Sequence, residues 1–250
     1  MPTFDMKPKH VPQDVLDGLK SIPGATVYGA VCNFGCPLNV CEGLRNLTPG
    51  KQRFAARAVT LRFLPRRADL MAEKPGGVDD PEYVAMGKCG PGDVLVADIM
   101  GSSRDVLAGD VKLLQLAMNN ADGAVIDGAI RDLDVMTEEN YGLTIYAKHR
   151  SFHGGVDATP AEVNIQIQCG GALVRPGDVM VGDNDGVLVV PSWMAEAALE
   201  WALEHEDAEN YVKEKIRAER VVPGTYYPPT DELIAEMHRA RKEAAPRHAP

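Results

Sequence analysis

Gly92-Asp93-Val94-Leu95-Val96-Ala97-Asp98-Ile99, Gly109-Asp110-Val111-Lys112-Leu113-Leu114 and Gly123-Ala124-Val125-Ile126-Asp127-Gly128-Ala129-Ile130-Arg131-Asp132 form the stretch whose reading decides the fold. Val94 to Ile99 is an apolar run of buried-strand length, and Gly123 to Gly128 is a second. Between them, Val111, Leu113, Leu114, Leu116, Ala117 and Met118 recur with the 3.6-residue period of a packed helix, which Asn119-Asn120 ends. Strand, helix and strand within about forty residues make a βαβ unit, with parallel strands and a right-handed crossover. Ligands of such sheets bind at the carboxyl ends of the strands. That rule places the 99–109 loop and the pair Arg131-Asp132 on one rim.

Outward from this centre, residues 11–21 and Ala25 to about Phe34 read as helices, stopped by Pro23-Gly24 and by Gly35 and Pro37. Residues 52–64 alternate as a strand does. From Pro65 to Pro91 the chain is polar and interrupted by Pro75, Gly76, Gly77 and Pro81, and is expected to be an excursion over the surface. After the βαβ unit come short strands at Val163–Gln168, Gly171–Val174, Asp178–Val181 and Gly186–Val190. A long helix from Pro191-Ser192 to about Arg220 follows, then a proline-containing tail from 223 to 250 expected to be extended. One domain over residues 1–250 is the expected organisation.

Composition narrows the partners. With 26 Lys+Arg against 36 Asp+Glu, the 250-residue chain carries a formal charge of −10. No basic run is present, so a nucleic-acid partner is not expected. A mean hydropathy of −0.18 and the absence of any ~20-residue apolar stretch argue against a membrane span. The start, Met1-Pro-Thr-Phe-Asp-Met-Lys-Pro8, lacks a signal-peptide core, which points to a cytoplasmic protein. Five cysteines, an odd number, argue against a disulfide framework. Cys32, Cys36 and Cys41 lack zinc-ligand spacing. His149 and His153 read as strand-end or loop residues, and Asp183-Asn-Asp185-Gly186 lacks the first Asp and the closing Glu of a calcium loop.

At the rim, the helix opened by Gly109-Asp110 offers unpaired N–H groups and the positive end of a dipole, which suits a carboxylate or phosphate. Asp110 also fits as a residue matching that dipole. Arg131 can polarise a carbonyl oxygen and Asp132 can be a hard oxygen ligand to Mg²⁺. Equally, the two can be a surface pair, with Asp132 capping the helix that starts beside it.

Gly109-Asp110 with Arg131-Asp132 resembles the core signature of the RraA-like family. That group contains 4-hydroxy-4-methyl-2-oxoglutarate/4-carboxy-4-hydroxy-2-oxoadipate aldolases and the regulator of ribonuclease E activity. Gly92 to Asp98, Asp122 to Asp132 and Pro176-Gly-Asp178 with Gly182-Asp-x-x-Gly-Val-Leu-Val-Val-Pro191 support the resemblance; residues 65–91 lie outside it. The resemblance implies an α/β fold, the RraA-like swivelling β/β/α sandwich with a βαβ core and a long C-terminal helix. It also implies a homotrimer or hexamer with sites between subunits.

The activity it implies is a class II pyruvate aldolase, a carbon–carbon lyase dependent on Mg²⁺ or Mn²⁺, with oxaloacetate decarboxylation as a related activity. By resemblance Asp132 is the direct metal ligand and Arg131 meets the 2-oxo oxygen. The amides of Gly109, Asp110, Val111, Lys112 and Leu113 hold the pyruvyl carboxylate, and Asp110 reaches the metal through water. Arg104 is a candidate for a distal carboxylate, and Glu214 of a neighbouring subunit for a water-mediated contact. Two departures bear on the site. Val135 stands where the family carries an acidic residue, with Asp134 one position earlier; Ala147-Lys148-His149 stands in place of Ala-Arg-Gly near the distal end of the substrate. The alternatives are a regulator that binds and inhibits an RNase or helicase, and another metal–enolate lyase such as a sugar-acid dehydratase or decarboxylase.

Overall fold

The computed structural model describes residues 5–48, 50 and 53–244. Two compact units emerge from its contacts, residues 1–199 and 200–250.

The first unit opens with helices α1 (Gln13–Ser21) and α2 (Gly24–Asn33). Strands β1 (Arg45–Asn46) and β2 (Phe54–Pro65), helices α3 (Ala68–Glu73) and α4 (Pro81–Lys88), and strand β3 (Asp93–Asp98) follow. Next come α5 (Asp110–Met118), β4 (Gly123–Ile130), α6 (Leu133–Glu138) and β5 (Thr144–Arg150). Five strands complete the sheets: β6 (Ala158–Val163), β7 (Ile167–Cys169), β8 (Ala172–Val174), β9 (Val179–Gly182) and β10 (Val187–Val190). Helix α7 (Ala195–Glu219) begins here and runs into the second unit, which also holds α8 (Asp231–Ala244).

The expected βαβ unit is present. Strand β3 pairs in parallel with both β2 and β4, and β4 with β5. The sheet runs β1-β5-β4-β3-β2-β9-β10, with β6 also on β2. Its outer strands are antiparallel, and Val40 bridges Leu188 of β10 just before Arg45–Asn46 joins β5. Residues 40–46 therefore touch both ends of the sheet, which is nearly closed.

Both faces of this sheet are buried, which is why its strands read as continuous apolar runs. Along β3, Val94 and Val96 face one core with Val125 and Tyr146, covered by Ile167 and Val174 of the β7–β8 hairpin. Leu95 and Ala97 face the other with Leu61, Ile126, Met86 of α4 and Leu113 and Leu116 of α5. At the turn between β9 and β10, Asp183 Oδ2 accepts from Gly24 N at 2.8 Å, so this carboxylate caps α2 rather than opening a calcium loop.

Three expectations need correction. Residues 65–91 are not merely a surface excursion, because Asp80 caps α4, and Ala85 and Met86 sit in the core. The Pro and Gly residues punctuate helices there instead of excluding them. Residues 231–244 are helical rather than extended, with Asp231 and Glu232 in the first turn and Arg241 and Lys242 in the last, as a helix dipole favours. In place of one strand over 163–168 there are two, β6 and β7, parted at Asn164, whose φ of 55° lies in the left-handed region. His149 is the last residue but one of β5 and His153 lies in the loop beyond it.

Met86 measures how much the core depends on residues 65–91. Met86→Ala should cost about 2–5 kcal/mol in denaturant unfolding. Val78→Ala, at an exposed position of the same segment, should stay within about 0.5 kcal/mol.

Candidate active site

The rim is built by backbone pairing. Beyond β3 the chain loops back so that Leu107 N donates to Ala129 O (3.0 Å) and Ala129 N to Asp105 O (3.2 Å). This clamps residues 105–107 along the end of β4. Gly109, at the start of α5, is thereby brought against Arg131 and Asp132, which follow β4.

Asp132 is the most constrained residue at the rim. Its φ of 61° and ψ of 29° are left-handed, a conformation that costs a non-glycine residue about 1 kcal/mol or more. It occupies the N-cap position of α6, yet its side chain accepts no capping hydrogen bond. The carboxylate instead points across to α5. A Cβ placed on Gly109 would lie 2.1 Å from Asp132 Oδ2 and 3.1 Å from Arg131 Nε. Gly109 itself has an ordinary extended backbone, φ −111° and ψ −170°, so a side chain there would be opposed by space alone, having to displace the Asp132 carboxylate. Arg131 Nε lies 3.3 Å from Asp132 Oδ2, and Arg131 Nη1 donates to Phe152 O at 3.5 Å. The side chains of Arg131 and Asp132 are 42% and 37% exposed, so both remain open to a ligand.

A cavity of about 320 Å³ opens in front of Arg131, and Asp132 stands behind it, outside the lining. Gly109, Asp110, Val111, Lys112 and Arg131 line one side of it. Leu113 does not. Its side chain is fully buried in the core and its amide donates to Gly109 O at 3.1 Å, which leaves the amides of residues 110–112 as the first-turn donors.

The far side of the cavity was not foreseen from the sequence. Arg66, Met71, Lys74, Asp80 and Glu82 line it, all from residues 65–91. Lys74 is ion-paired with Asp80, and Lys112 with Glu82. Burial pushes the Glu82 carboxyl above its ordinary range, although Lys112 pulls the other way. A capped helix start at Asp80-Pro81-Glu82 was the signal available in the sequence.

Other candidates lie elsewhere. Arg104 Nη1 sits 3.5 Å from Asp157 Oδ2 and is not in the cavity lining. Asp134 is exposed in the first turn of α6, followed by Val135. Glu214 belongs to the second unit, where Arg241 is 3.6 Å away. Lys148 was expected near the distal end of the substrate. It sits on the opposite face of the sheet, 2.6 Å from the buried Asp127, and does not line the cavity.

Asp105 holds the outer loop. Its Oδ1 accepts from the amides of Val156 (2.7 Å), Asp157 (2.9 Å) and Ala158 (3.1 Å), and its Oδ2 from Ser102 Oγ (2.8 Å). Burial opposes its ionisation, but these donors outweigh burial and hold its carboxyl below the usual carboxylate range.

Among the described residues no three His, Cys, Asp or Glu side chains group to hold a metal ion. The donor set at the rim is a single open carboxylate, Asp132, with Asp110 nearby on the cavity wall. That suits a hard cation of the Mg²⁺ type, which takes one or two carboxylates and keeps several waters. The space a Cβ of residue 109 would fill is occupied by the Asp132 carboxylate.

The RraA-like family profile, described as Aldolase/RraA, matches residues 24–189. The chain belongs to the RraA-like family. A relative in Halalkalibacterium halodurans, named "Putative 4-hydroxy-4-methyl-2-oxoglutarate aldolase", is 35% identical over 143 residues, covering 55% of this chain and 64% of that protein. The chain thus spans just under two thirds of that relative. A protein of the same name from Pseudomonas fluorescens is 33% identical over 157 residues, 62% of this chain and 86% of the other. Among solved structures, Streptomyces coelicolor RraAS2, described as an unusual member of the RNase ES inhibitor RraA protein family, superposes with a TM-score of 0.71. It is 25% identical, with 82% of this chain and 98% of that one covered. An uncharacterized Pseudomonas syringae protein shares the fold at TM-score 0.70 and 23% identity, covering 87% and 98%. No helix among the described residues is long and apolar enough to cross a membrane.

Asp105 provides a pH test of the loop. Its lowered carboxyl stabilises the fold above the ordinary Asp range, and that contribution is lost as pH falls through the lower, folded value. Asp105→Asn should therefore cost about 1–3 kcal/mol at neutral pH. The Tm gap between the variant and the parent should close on acidification below the Asp range.

Proposed function

We propose that the protein is a divalent-metal-dependent aldolase that cleaves a 4-hydroxy-2-oxo acid to pyruvate and a carbonyl product. The observation that carries this reading is Asp132. A strained residue at the end of β4 forgoes capping its own helix and sends its carboxylate to the start of α5, beside Arg131. The names of the relatives at 33–35% identity agree with it.

Asp132 would hold Mg²⁺ or Mn²⁺ directly, with Asp110, Asp134 and Glu214 of a neighbouring subunit in a trimer or hexamer reaching it through water. When bound, the metal supplies Lewis-acid polarisation of the 2-oxo acid. The amides of residues 110–112 bind the substrate carboxylate at the positive end of the α5 dipole. Arg131 donates to the 2-oxo oxygen, where negative charge develops. The 4-hydroxyl proton leaves through water to Asp110 as the C3–C4 bond breaks. The bonding electrons move to C3 and the 2-oxo oxygen, giving an enolate that Arg131 stabilises, and protonation at C3 yields pyruvate. The same arrangement releases CO₂ from oxaloacetate, because that reaction also leaves the pyruvate enolate.

Pyruvate release from 4-hydroxy-2-oxo acids and oxaloacetate, measured with Mg²⁺ and with chelator, tests the reading. Arg131→Ala and Asp132→Ala should each lower kcat/KM about 100-fold or more. Gly109→Ala should do the same while the protein stays folded by circular dichroism, since the new methyl displaces the Asp132 carboxylate. Turnover that survives chelation or the Asp132 substitution would overturn the assignment. No turnover, joined with tight capture of an RNase, would favour the regulator, a reading prompted by the RNase inhibitor family of the Streptomyces neighbour.

A further inference from the structure

The cavity wall contributed by residues 65–91 bears on which substrate the site takes. Lys74 and Asp80 are held together with side chains only 14% and 17% exposed, and Glu82, 6% exposed, is paired with Lys112. Both pairs face the cavity. Helix α4, which carries Glu82, is pinned to α5. Gln115 Nε2 donates to Tyr83 O at 3.3 Å and Asn119 Nδ2 to Met86 O at 3.1 Å. The wall is thus fixed relative to the helix start that receives the substrate carboxylate.

An ammonium group is only a donor and an ionised carboxylate only an acceptor. A neutralised Lys–carboxylate pair therefore presents one of each side by side. That matches a hydroxyl, which donates and accepts at once. It does not match a second carboxylate, which would meet Asp80 and Glu82 as like charges and would have to pull Lys74 or Lys112 from its partner. Arg104, the cation expected to hold a distal carboxylate, is paired with Asp157 away from the lining. Phe63 and Met71 supply apolar surface between the polar groups. Among the lining cations only Arg66 has no carboxylate partner among the described residues; it is exposed, and its Nη1 donates to Gly155 O at 3.0 Å.

Resting on the aldolase reading, we propose that the substrate is a 4-hydroxy-2-oxo acid whose chain beyond C4 carries hydroxyl groups. Such a compound is a deoxy sugar acid rather than a diacid. Lys74–Asp80 and Glu82–Lys112 determine this specificity by hydrogen-bonding the distal hydroxyls, and the products are pyruvate and a hydroxyaldehyde.

The experiment compares kcat/KM for 4,5,6-trihydroxy-2-oxohexanoate with that for 4-hydroxy-2-oxoglutarate in the parent, Lys74→Met, Glu82→Gln and Arg66→Ala, with Tm as the check on folding. The hydroxylated substrate should be preferred at least about tenfold, the worth of one well-placed hydrogen bond. Lys74→Met and Glu82→Gln should each erase most of that preference, chiefly through KM. Asp80→Asn with Glu82→Gln keeps the α4 cap oxygen and leaves a cationic wall, so it should shift preference towards the diacid. A parent that prefers the diacid, with the preference lost in Arg66→Ala, overturns the inference; so does a hydroxylated-substrate preference that Lys74→Met and Glu82→Gln leave unchanged. Exchange of the C3 protons of pyruvate by the parent, which involves no distal chain, tests the aldolase reading separately. If that exchange is absent the reading fails and the inference falls with it. If exchange is present without the preference, only the inference fails.

Discussion

The contact between the Asp132 carboxylate and the α-carbon of Gly109 is the constraint on which the site depends. It brings together the end of one parallel strand and the start of the helix that precedes it in the chain, and only a hydrogen fits between them. Several other features serve this approach. The left-handed backbone of Asp132 turns its side chain away from α6, and pairing of residues 105–107 with the end of β4 sets the distance. A carboxylate placed at a helix N-terminus is favoured electrostatically, which offsets part of the backbone strain.

The rim depends in turn on a buried carboxylate that takes no part in the chemistry proposed. Asp105 gathers three consecutive amides of residues 156–158, and the loop ahead of them supplies the carbonyls of Phe152 and Gly155 that receive Arg131 and Arg66. A charge with so little exposure is stable only because each of its acceptor positions is used. On the other face of the sheet, Asp98 and Asp127 are buried carboxylates too, although Asp127 Oδ1 accepts no hydrogen bond among the described residues and has only the Lys148 ammonium beside it. Gln168 Nε2 donates to both, Gly170 N donates to Asp127, and Lys148 faces Asp127. The β7–β8 hairpin, which brings Gln168 and Gly170, thus covers an apolar core and satisfies its polar edge together.

Much of this was legible in the chain. Val94–Ile99 and Gly123–Gly128 are apolar except at Asp98 and Asp127 because both faces of the sheet are covered, and the 3.6-residue period between them is that of a helix. Those patterns fix a parallel pair with Gly109 and Arg131-Asp132 at one rim. The segment 65–91 was opaque because its structure depends on a few contacts: a capped three-turn-or-shorter helix with Ala85 and Met86 inward gives little periodic signal. The ion pairs Lys74–Asp80 and Lys112–Glu82 were hidden for another reason. Side chains that neutralise each other across 6 or 30 positions leave no local pattern.

The sequence by itself determined the parallel βαβ core, the family and the identity of the rim residues, because hydrophobic periodicity and short glycine–carboxylate motifs are local properties of a chain. Tertiary structure alone decided that Asp132 serves the neighbouring helix instead of capping its own. It also decided that Leu113 and Lys148 turn away from the cavity, and that residues 65–91 form its far wall. These outcomes depend on which atoms compete for one space and which charges find a partner through it, and neither is settled until the chain has closed on itself.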